Sequence, residues 1–179
     1  MKTYFHNEQI IYDGSNLQSL YAYKNFDVNG DSVISFTGPC LVDEHLVDIE
    51  DKKAHAFIRS DNMVHFIIEH FDISLTETIF RQRLFIAIIR DYLGSKVIRK
   101  GDDLFYDEGK LSVSIATQTP VSTIIHTGIN IITDNTPIHT ASLSELSIDP
   151  STFAKAIMTL YKEEIEDIYF ARRKVRGVI

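Results

Sequence analysis

Two long helix patterns enclose a run of short strand-like segments, and this order limits the fold more than any other feature. The first helix is predicted to begin with a capping box formed by Ser74 and Glu77 and to end before Gly94. The second begins at Asp149-Pro150, an N-cap followed by a first-turn proline. Strands are predicted between them at Lys96–Arg99, Leu104–Tyr106, Lys110–Ala116 and Val121–Ile131, with a two-residue hairpin loop at Glu108-Gly109. This order predicts an α+β fold with a mixed, mostly antiparallel sheet flanked by helices.

The first half of the chain is predicted to add further strands and one short helix. The capping-box pattern of Ser15 and Gln18 predicts the helix. Met63–Phe71 is apolar on both faces, which fits a buried strand or two turns of helix, and its short length favours the strand. The helix after Ser74 has apolar residues on more than one stripe, so we expect it to be largely buried. The other predicted strands are Thr3–Phe5 paired with Gln9–Tyr12, Ser32–Phe36 ended by a turn at Thr37-Gly38-Pro39, and Leu46–Ile49 within a long loop.

Composition limits the classes of function. The chain has 179 residues, 44% apolar and 24% charged, which predicts one globular domain over residues 1–179. No apolar run reaches the roughly 18 residues of a spanning helix, and the first residues are too polar for a secretory signal. A single cysteine fits a reducing compartment, so we expect a cytoplasmic protein. The net charge of −7 argues against nucleic acid as a partner, although the basic residues around Arg172 leave an acidic-partner patch open beside a simple helix-end role.

The stretch from Gly101 to Ile131 contains the candidate site. Strand alternation would place Lys110, Ser112 and Ser114 on one small, polar face with an ammonium at its end. A small ligand could lie on that face, with its carboxylate or phosphate bound to Lys110. The alternative is an exposed hairpin lysine without a function.

The following strand would present His126, Gly128 and Asn130 on one face. A glycine inside a strand often marks the close approach of a ligand or another chain. The structural alternative for His126 is a half-buried histidine with satisfied hydrogen bonds.

These residues also carry a resemblance. The segments KLSVSIA (110–116) and IIHTGINI (124–131) resemble the pattern of the biotin protein ligases, and HTGIN (126–130) resembles that of the octanoyl transferases. More narrowly, the sequence is similar to the domain-of-unknown-function 366 family of archaea and bacteria, which has no assigned activity. The resemblance implies a biotin/lipoate ligase-like catalytic-core fold, which is shared with class II aminoacyl-tRNA synthetases.

The resemblance also implies roles for individual residues. Lys110 matches the lysine that contacts the acyl carboxylate or the adenylate phosphate, where an ammonium stabilises the negative charge that develops on oxygen. Asp103 matches the aspartate of the preceding turn, and Gly128 and Asn130 match the strand that packs behind the ligand. ATP is the cofactor that the resemblance implies.

Two segments depart from the family pattern. The biotin ligases have an arginine- and glycine-rich turn after the first helix, whereas Phe36–Cys40 keeps only Gly38 and has no arginine, which argues against ATP. The octanoyl transferases place a nucleophilic cysteine after the asparagine strand, whereas Thr136–Thr140 has none. Cys40 is expected either to face the ligand, together with Gly38, or to be a small hydrophobic residue in a turn.

We predict no metal site. His65, Glu69 and His70 have a metal-like spacing only on a helix, and this segment is predicted to be a strand. The carboxylates within Asp48–Asp51 fit either a solvated loop or a role in a pocket.

Three hypotheses follow. The chain is an acyl-transfer or carboxylate-activating enzyme that uses Lys110, a non-catalytic binding protein that lost the nucleotide loop, or an interaction protein that dimerises through its sheet. The expected partner is an anionic or carboxylated small molecule, with a second copy of the chain as a further candidate and no membrane.

Overall fold

The structure is a computed structural model that describes residues 1–134, 136 and 138–178. Its helices are α1 (Tyr21–Phe26), α2 (Ile49–Lys53), α3 (Leu75–Leu93) and α4 (Pro150–Arg173). Its strands are β1 (Lys2–Phe5), β2 (Ser32–Val42), β3 (Ile58–His70), β4 (Ile98–Lys100), β5 (Asp103–Tyr106), β6 (Gly109–Lys110), β7 (Ser112–Gln118) and β8 (Thr123–Asn130). Within the described residues, no helix is both long and apolar enough to cross a membrane.

Most strands form one five-stranded sheet in the order β1-β2-β3-β8-β7. β1 pairs with β2 in parallel, and the other neighbours pair antiparallel. Strands β4, β5 and β6 form a small separate antiparallel sheet. The predicted α+β class and the mostly antiparallel sheet are therefore confirmed.

The two faces of the main sheet support different groups of core residues. On one face, which we call the helix face, Phe66 of β3 packs with Phe85 of α3 and Phe153 of α4. On the opposite face, the cavity face, Ile34, Met63 and Tyr12 belong to a second cluster without residues from α3 or α4. Both faces of β3 are thus covered, which explains why Met63–Phe71 is apolar throughout, and the prediction of a strand there is confirmed.

The signals for the two long helices are also confirmed. The Ser74 hydroxyl accepts from the backbone N–H of Glu77, and the Glu77 carboxylate accepts from that of Ser74. Asp149 caps α4 by accepting from Thr152 N at 2.7 Å. The expected burial of α3 is wrong, because Phe80 is 70% exposed and only one side of the helix faces the core.

Predictions for the N-terminal segments fail because distant partners decide their structure. Residues Gln9–Tyr12 do not form a strand against β1; instead they run along β2, where Tyr12 N donates to Pro39 O. Ser15 caps no helix, since its hydroxyl donates to Asp13, and α1 begins only at Tyr21.

Three further boundaries need correction. Thr37-Gly38-Pro39 does not end β2 as a turn, because the strand continues to Val42 across a register shift. The Leu46–Ile49 strand is wrong, because Asp48 is the N-cap of α2 and accepts from Glu50 N and Asp51 N. The hairpin loop consists of Asp107-Glu108 and not Glu108-Gly109, since Tyr106 pairs with Gly109 and both loop residues have positive φ.

Candidate functional site

A cavity of about 370 Å³ lies mainly on the cavity face of the main sheet. Cys40 of β2, Met63 of β3, Val113 of β7 and His126 of β8 contribute to its floor. Its walls come from the 45–60 segment, from Asp102 to Lys110 of the small sheet, and from described residues between 136 and 140. The site therefore forms where four strands and two loops meet, which a local sequence pattern does not reveal.

Lys110 lies in this wall, and its backbone is held on both sides. Its N–H donates to His139 O at 3.1 Å, and its carbonyl accepts from Ala141 N at 3.0 Å. Its ammonium lies 3.0 Å from the Asp103 carboxylate, with both side chains about one-third exposed. An ammonium has three N–H donors, so this ion pair leaves two for a ligand.

Asn130 lines the same cavity and fastens the Lys110 segment to the main sheet. Its Nδ2 donates to Lys110 O and Ala141 O, each at 3.2 Å. Its backbone N–H donates to Leu111 O at 3.0 Å. The asparagine thus positions the strand that carries Lys110.

Ser112 and Ser114 border the cavity, but the predicted alternation is wrong. They pair with Ile129 and Thr127, so their side chains share the helix face, and Val113 instead shares the cavity face with its partner Gly128. Ser112 Oγ accepts from Leu104 N at 2.8 Å. Ser114 Oγ donates to His126 O at 3.1 Å. Both hydroxyls therefore support the fold.

The two glycines have steric explanations. A Cβ on Gly38 would collide with the carbonyl oxygen of Ile10, which lies against β2. A Cβ on Gly128 would come within 2.9 Å of Met63 Cε and 3.2 Å of Val113 Cγ2. Neither glycine is among the described residues that line the cavity, so protein atoms, and not a ligand, approach them.

Cys40 lines the cavity but is fully buried. Burial raises the pKa of its thiol to about 12. A thiol that stays protonated at neutral pH is a weak nucleophile, so Cys40 acts as a small apolar residue of the floor.

His126 belongs to a buried aromatic cluster with His65 and Tyr12. The ring of Tyr12 stacks on His126 with 3.5 Å between centroids and 9° between planes. His126 Nε2 lies 3.0 Å from His65 Nδ1, and His65 Nε2 lies 3.1 Å from Gly38 O. Burial lowers the pKa of His65 to about 4, and burial followed by repulsion from His65 lowers that of His126 well below its usual value. Both rings are therefore neutral at pH 7.

Several cavity residues were not foreseen. Ser60 and Arg59 line it from β3, and Asp51 lines it from α2. Position 60 follows a charged stretch without a regular period, so no local pattern placed it beside Cys40, its cross-strand partner. The pocket role considered for Asp48 is compatible with its lining position, although its carboxylate caps α2.

Glu69 and His70 have structural roles. Glu69 accepts from Leu20 N at 2.7 Å and from Ser122 Oγ at 2.6 Å. His70 Nε2 accepts from the hydroxyl of Tyr161 at 2.9 Å. The described part of the chain holds no cluster of three or more side chains suited to a metal ion.

The fold is that of the biotin and lipoate protein ligases. Over 92% of the chain it is similar to a protein from T. acidophilum described provisionally as a lipoate protein ligase, with a TM-score of 0.65, 12% identity and 85% of that chain covered. Over 93% it is similar to a biotin protein ligase from Aquifex aeolicus, with a TM-score of 0.58, 12% identity and 70% of that chain covered. At such identities the likeness shows the fold alone.

The chain belongs to the family described as Domain of unknown function (DUF366), whose pattern matches residues 1–176. It is 34% identical to an uncharacterized protein of Methanocaldococcus jannaschii, which covers 100% of this chain and 86% of that protein. A protein of unknown function from Pyrococcus horikoshi has a similar structure, with a TM-score of 0.92, 38% identity, 99% of this chain covered and 100% of that one.

The segment that corresponds to the ligases' nucleotide turn does not fit a phosphate. Phe36–Cys40 continues as strand β2, and the backbone of Ile10 occupies the space beside Gly38. The carbonyl oxygen of Gly38 is bonded to His65. No backbone N–H cradle of the kind that binds phosphate is present in this segment, so we derive no step that uses ATP.

Proposed function

We propose that this protein binds a small carboxylated molecule in the cavity, with Lys110 holding the carboxylate. The observation that carries the proposal is the ammonium of Lys110 at the wall of a largely apolar cavity of about 370 Å³. Ligand pockets in proteins have this combination of apolar surface and a few placed polar groups. The T. acidophilum neighbour, which shares the fold, has been solved with lipoic acid, a carboxylic acid with an apolar body.

The position of Lys110 suits this role. Its backbone is fixed between the 139–141 segment and Asn130, and Asp103 directs its ammonium. A ligand carboxylate can use the remaining N–H donors and form a charge-assisted hydrogen bond. Such a bond in a partly buried site is worth roughly 1.5–3 kcal/mol.

Binding without catalysis is the form of the proposal that the geometry supports best. Gly38 packs against Ile10 and Cys40 keeps its proton, so neither the nucleotide turn nor a thiol nucleophile supports activation or transfer of the acyl group. ATP–pyrophosphate exchange with lipoate and octanoate tests the catalytic alternative. Exchange above the level of a Lys110→Ala variant would make the protein an enzyme.

The binding test compares Lys110→Ala with Lys100→Ala, a lysine of the same small sheet that lies outside the cavity lining. Lipoate and octanoate serve as probes in calorimetry, and urea unfolding measures stability. We expect Lys110→Ala to weaken binding by about tenfold or more, the equivalent of 1.4 kcal/mol, while stability changes by less than about 1 kcal/mol because the ion pair is partly exposed. Lys100→Ala should leave affinity unchanged. Equal affinities for the two variants would refute the proposal.

A further inference from the structure

We propose that the ligand carries, besides its carboxylate, a polar group with both a hydrogen-bond donor and an acceptor, and that His126 and Ser60 bind this group. The inference rests on the proposed function, because it names the class of ligand that the same cavity selects. It depends on two buried polar side chains whose hydrogen-bonding capacity the described protein leaves unused.

The first of these groups is Nδ1 of His126, and the direction of the hydrogen bonds follows from Gly38. The carbonyl oxygen of Gly38 only accepts, so Nε2 of His65 must carry the proton that joins them. A neutral His65 then has a lone pair on Nδ1, which accepts the proton on Nε2 of His126. His126 is therefore left with an unprotonated Nδ1.

This nitrogen is an acceptor without a partner among the described residues. His126 is 2% exposed and lines the cavity, and its one hydrogen bond within the described chain goes to His65 through Nε2. Tyr12 covers one face of the ring, which fixes its orientation. A buried acceptor that stays unpaired is unfavourable, and a donor on a ligand would satisfy it.

The second group is the hydroxyl of Ser60. Ser60 is 2% exposed and lines the cavity, and its Oγ has no hydrogen-bond partner. It lies at the same end of the cavity as His126, because Ser60 pairs with Cys40, Cys40 bridges to Tyr12, and Tyr12 stacks on His126. A hydroxyl donates as well as accepts, so it complements the acceptor-only Nδ1 of His126.

The two groups together select a hydroxyl, an amide or a similar group, and select against a plain alkyl chain. The neighbouring floor residues Met63, Val113 and Cys40 offer apolar contacts to either kind of ligand. A site with buried groups that expect a hydrogen bond discriminates against the analogue that lacks it, because those groups then stay unpaired.

The test uses hexanoate, octanoate and decanoate, each paired with its ω-hydroxy derivative, and measures binding to the full chain by calorimetry. We expect the hydroxy acid to bind about tenfold more tightly in at least one pair, the order of magnitude for one buried neutral hydrogen bond. Equal affinities in all three pairs would overturn this inference and leave the proposed function intact. Failure of every acid to bind would overturn both.

Ser60→Ala provides the variant, and Ser32→Ala is its matched control. Both serines are buried and have hydroxyls without a partner, but Ser32 lies outside the cavity lining. Neither substitution removes a hydrogen bond within the described protein, so both variants should fold. The preference for the hydroxy acid should fall in Ser60→Ala and persist in Ser32→Ala, and equal behaviour of the two variants contradicts the role of Ser60.

The ring nitrogen is tested directly by ¹⁵N NMR of the histidine side chains. In the free protein at pH 7, the proton of His126 should reside on Nε2 and Nδ1 should be unprotonated. Addition of the preferred hydroxy acid should shift the Nδ1 resonance in the direction of an accepted hydrogen bond. A proton on Nδ1 of His126 in the free protein would overturn the inference whatever the binding data show.

Discussion

Acidification should destabilise this protein well above the pH at which carboxylates titrate, because His65 is buried in its neutral form. An unfolded histidine has a pKa of 6.5, whereas that of His65 is lowered to about 4. Between these two values the unfolded state binds more protons than the folded state, so the free energy of unfolding falls as the pH falls. The loss begins near pH 6.5 and is complete near pH 4.

The magnitude follows from the two pKa values. One pKa unit corresponds to about 1.4 kcal/mol, so His65 alone should cost about 2 kcal/mol by pH 5 and about 3 kcal/mol by pH 4. His126 and His70 have pKa values shifted in the same direction and add to this loss. Against a typical total stability of about 5–15 kcal/mol, the change is easily measured.

Urea unfolding at pH 7.5, 6.5, 5.5 and 5.0 measures the effect before the carboxylates contribute. The pKa values of Asp31 and Asp13 are lowered, and such groups reduce stability only at more acidic pH. His65→Gln should be less stable at pH 7.5 but should have a shallower slope, whereas the exposed His55→Gln should keep the full slope. A wild-type free energy that stays constant from pH 7.5 to 5.0 would refute the assignment of a neutral buried pair.

Other predictions concern single residues. Gly38→Ala should lower stability more than Gly128→Ala, because the first Cβ meets backbone whereas the second meets the flexible end of a methionine; the free energies of unfolding decide this. Ser74→Ala should cost about 1 kcal/mol through loss of the α3 cap, also measured by unfolding. Cys40 should react with iodoacetamide at pH 8 only after unfolding, as mass spectrometry can show, and rapid labelling of the native protein would contradict its burial.

Elements with strong local signals were predictable from the sequence. The capping box at Ser74, the N-cap at Asp149 and the doubly apolar strand around Phe66 each depend on residues close together in the chain. In contrast, α1 is fixed by Glu69, whose carboxylate accepts from Leu20 N across 49 positions of sequence. No local pattern near Ser15 contains that information.

The candidate site was predicted in part for the same reason. Lys110, His126 and Asn130 do border one cavity, since the hairpin order of the strands brings them together. The faces of Ser112 and Ser114 were misjudged because the chain changes sheets at Leu111. Lys110 pairs with Phe105 in the small sheet, whereas Ser112 pairs with Ile129 in the main sheet. An alternation counted through that break assigns the wrong face.

Asn130 tests how far binding depends on this change of sheets. Its amide holds the carbonyls of Lys110 and Ala141, and both remain buried or partly buried at the junction. Asn130→Ala should therefore lower stability by roughly 1–3 kcal/mol, the cost of leaving buried groups without a partner, and should also weaken binding of lipoate or octanoate because the strand of Lys110 loses its anchor.

Lys110→Ala is the comparison, since it should reduce affinity with little loss of stability. Thermal melts and calorimetry on both variants separate the two effects. If Asn130→Ala lowers affinity but leaves the melting temperature unchanged, the asparagine contacts the ligand directly, and the positioning role assigned to it here is wrong.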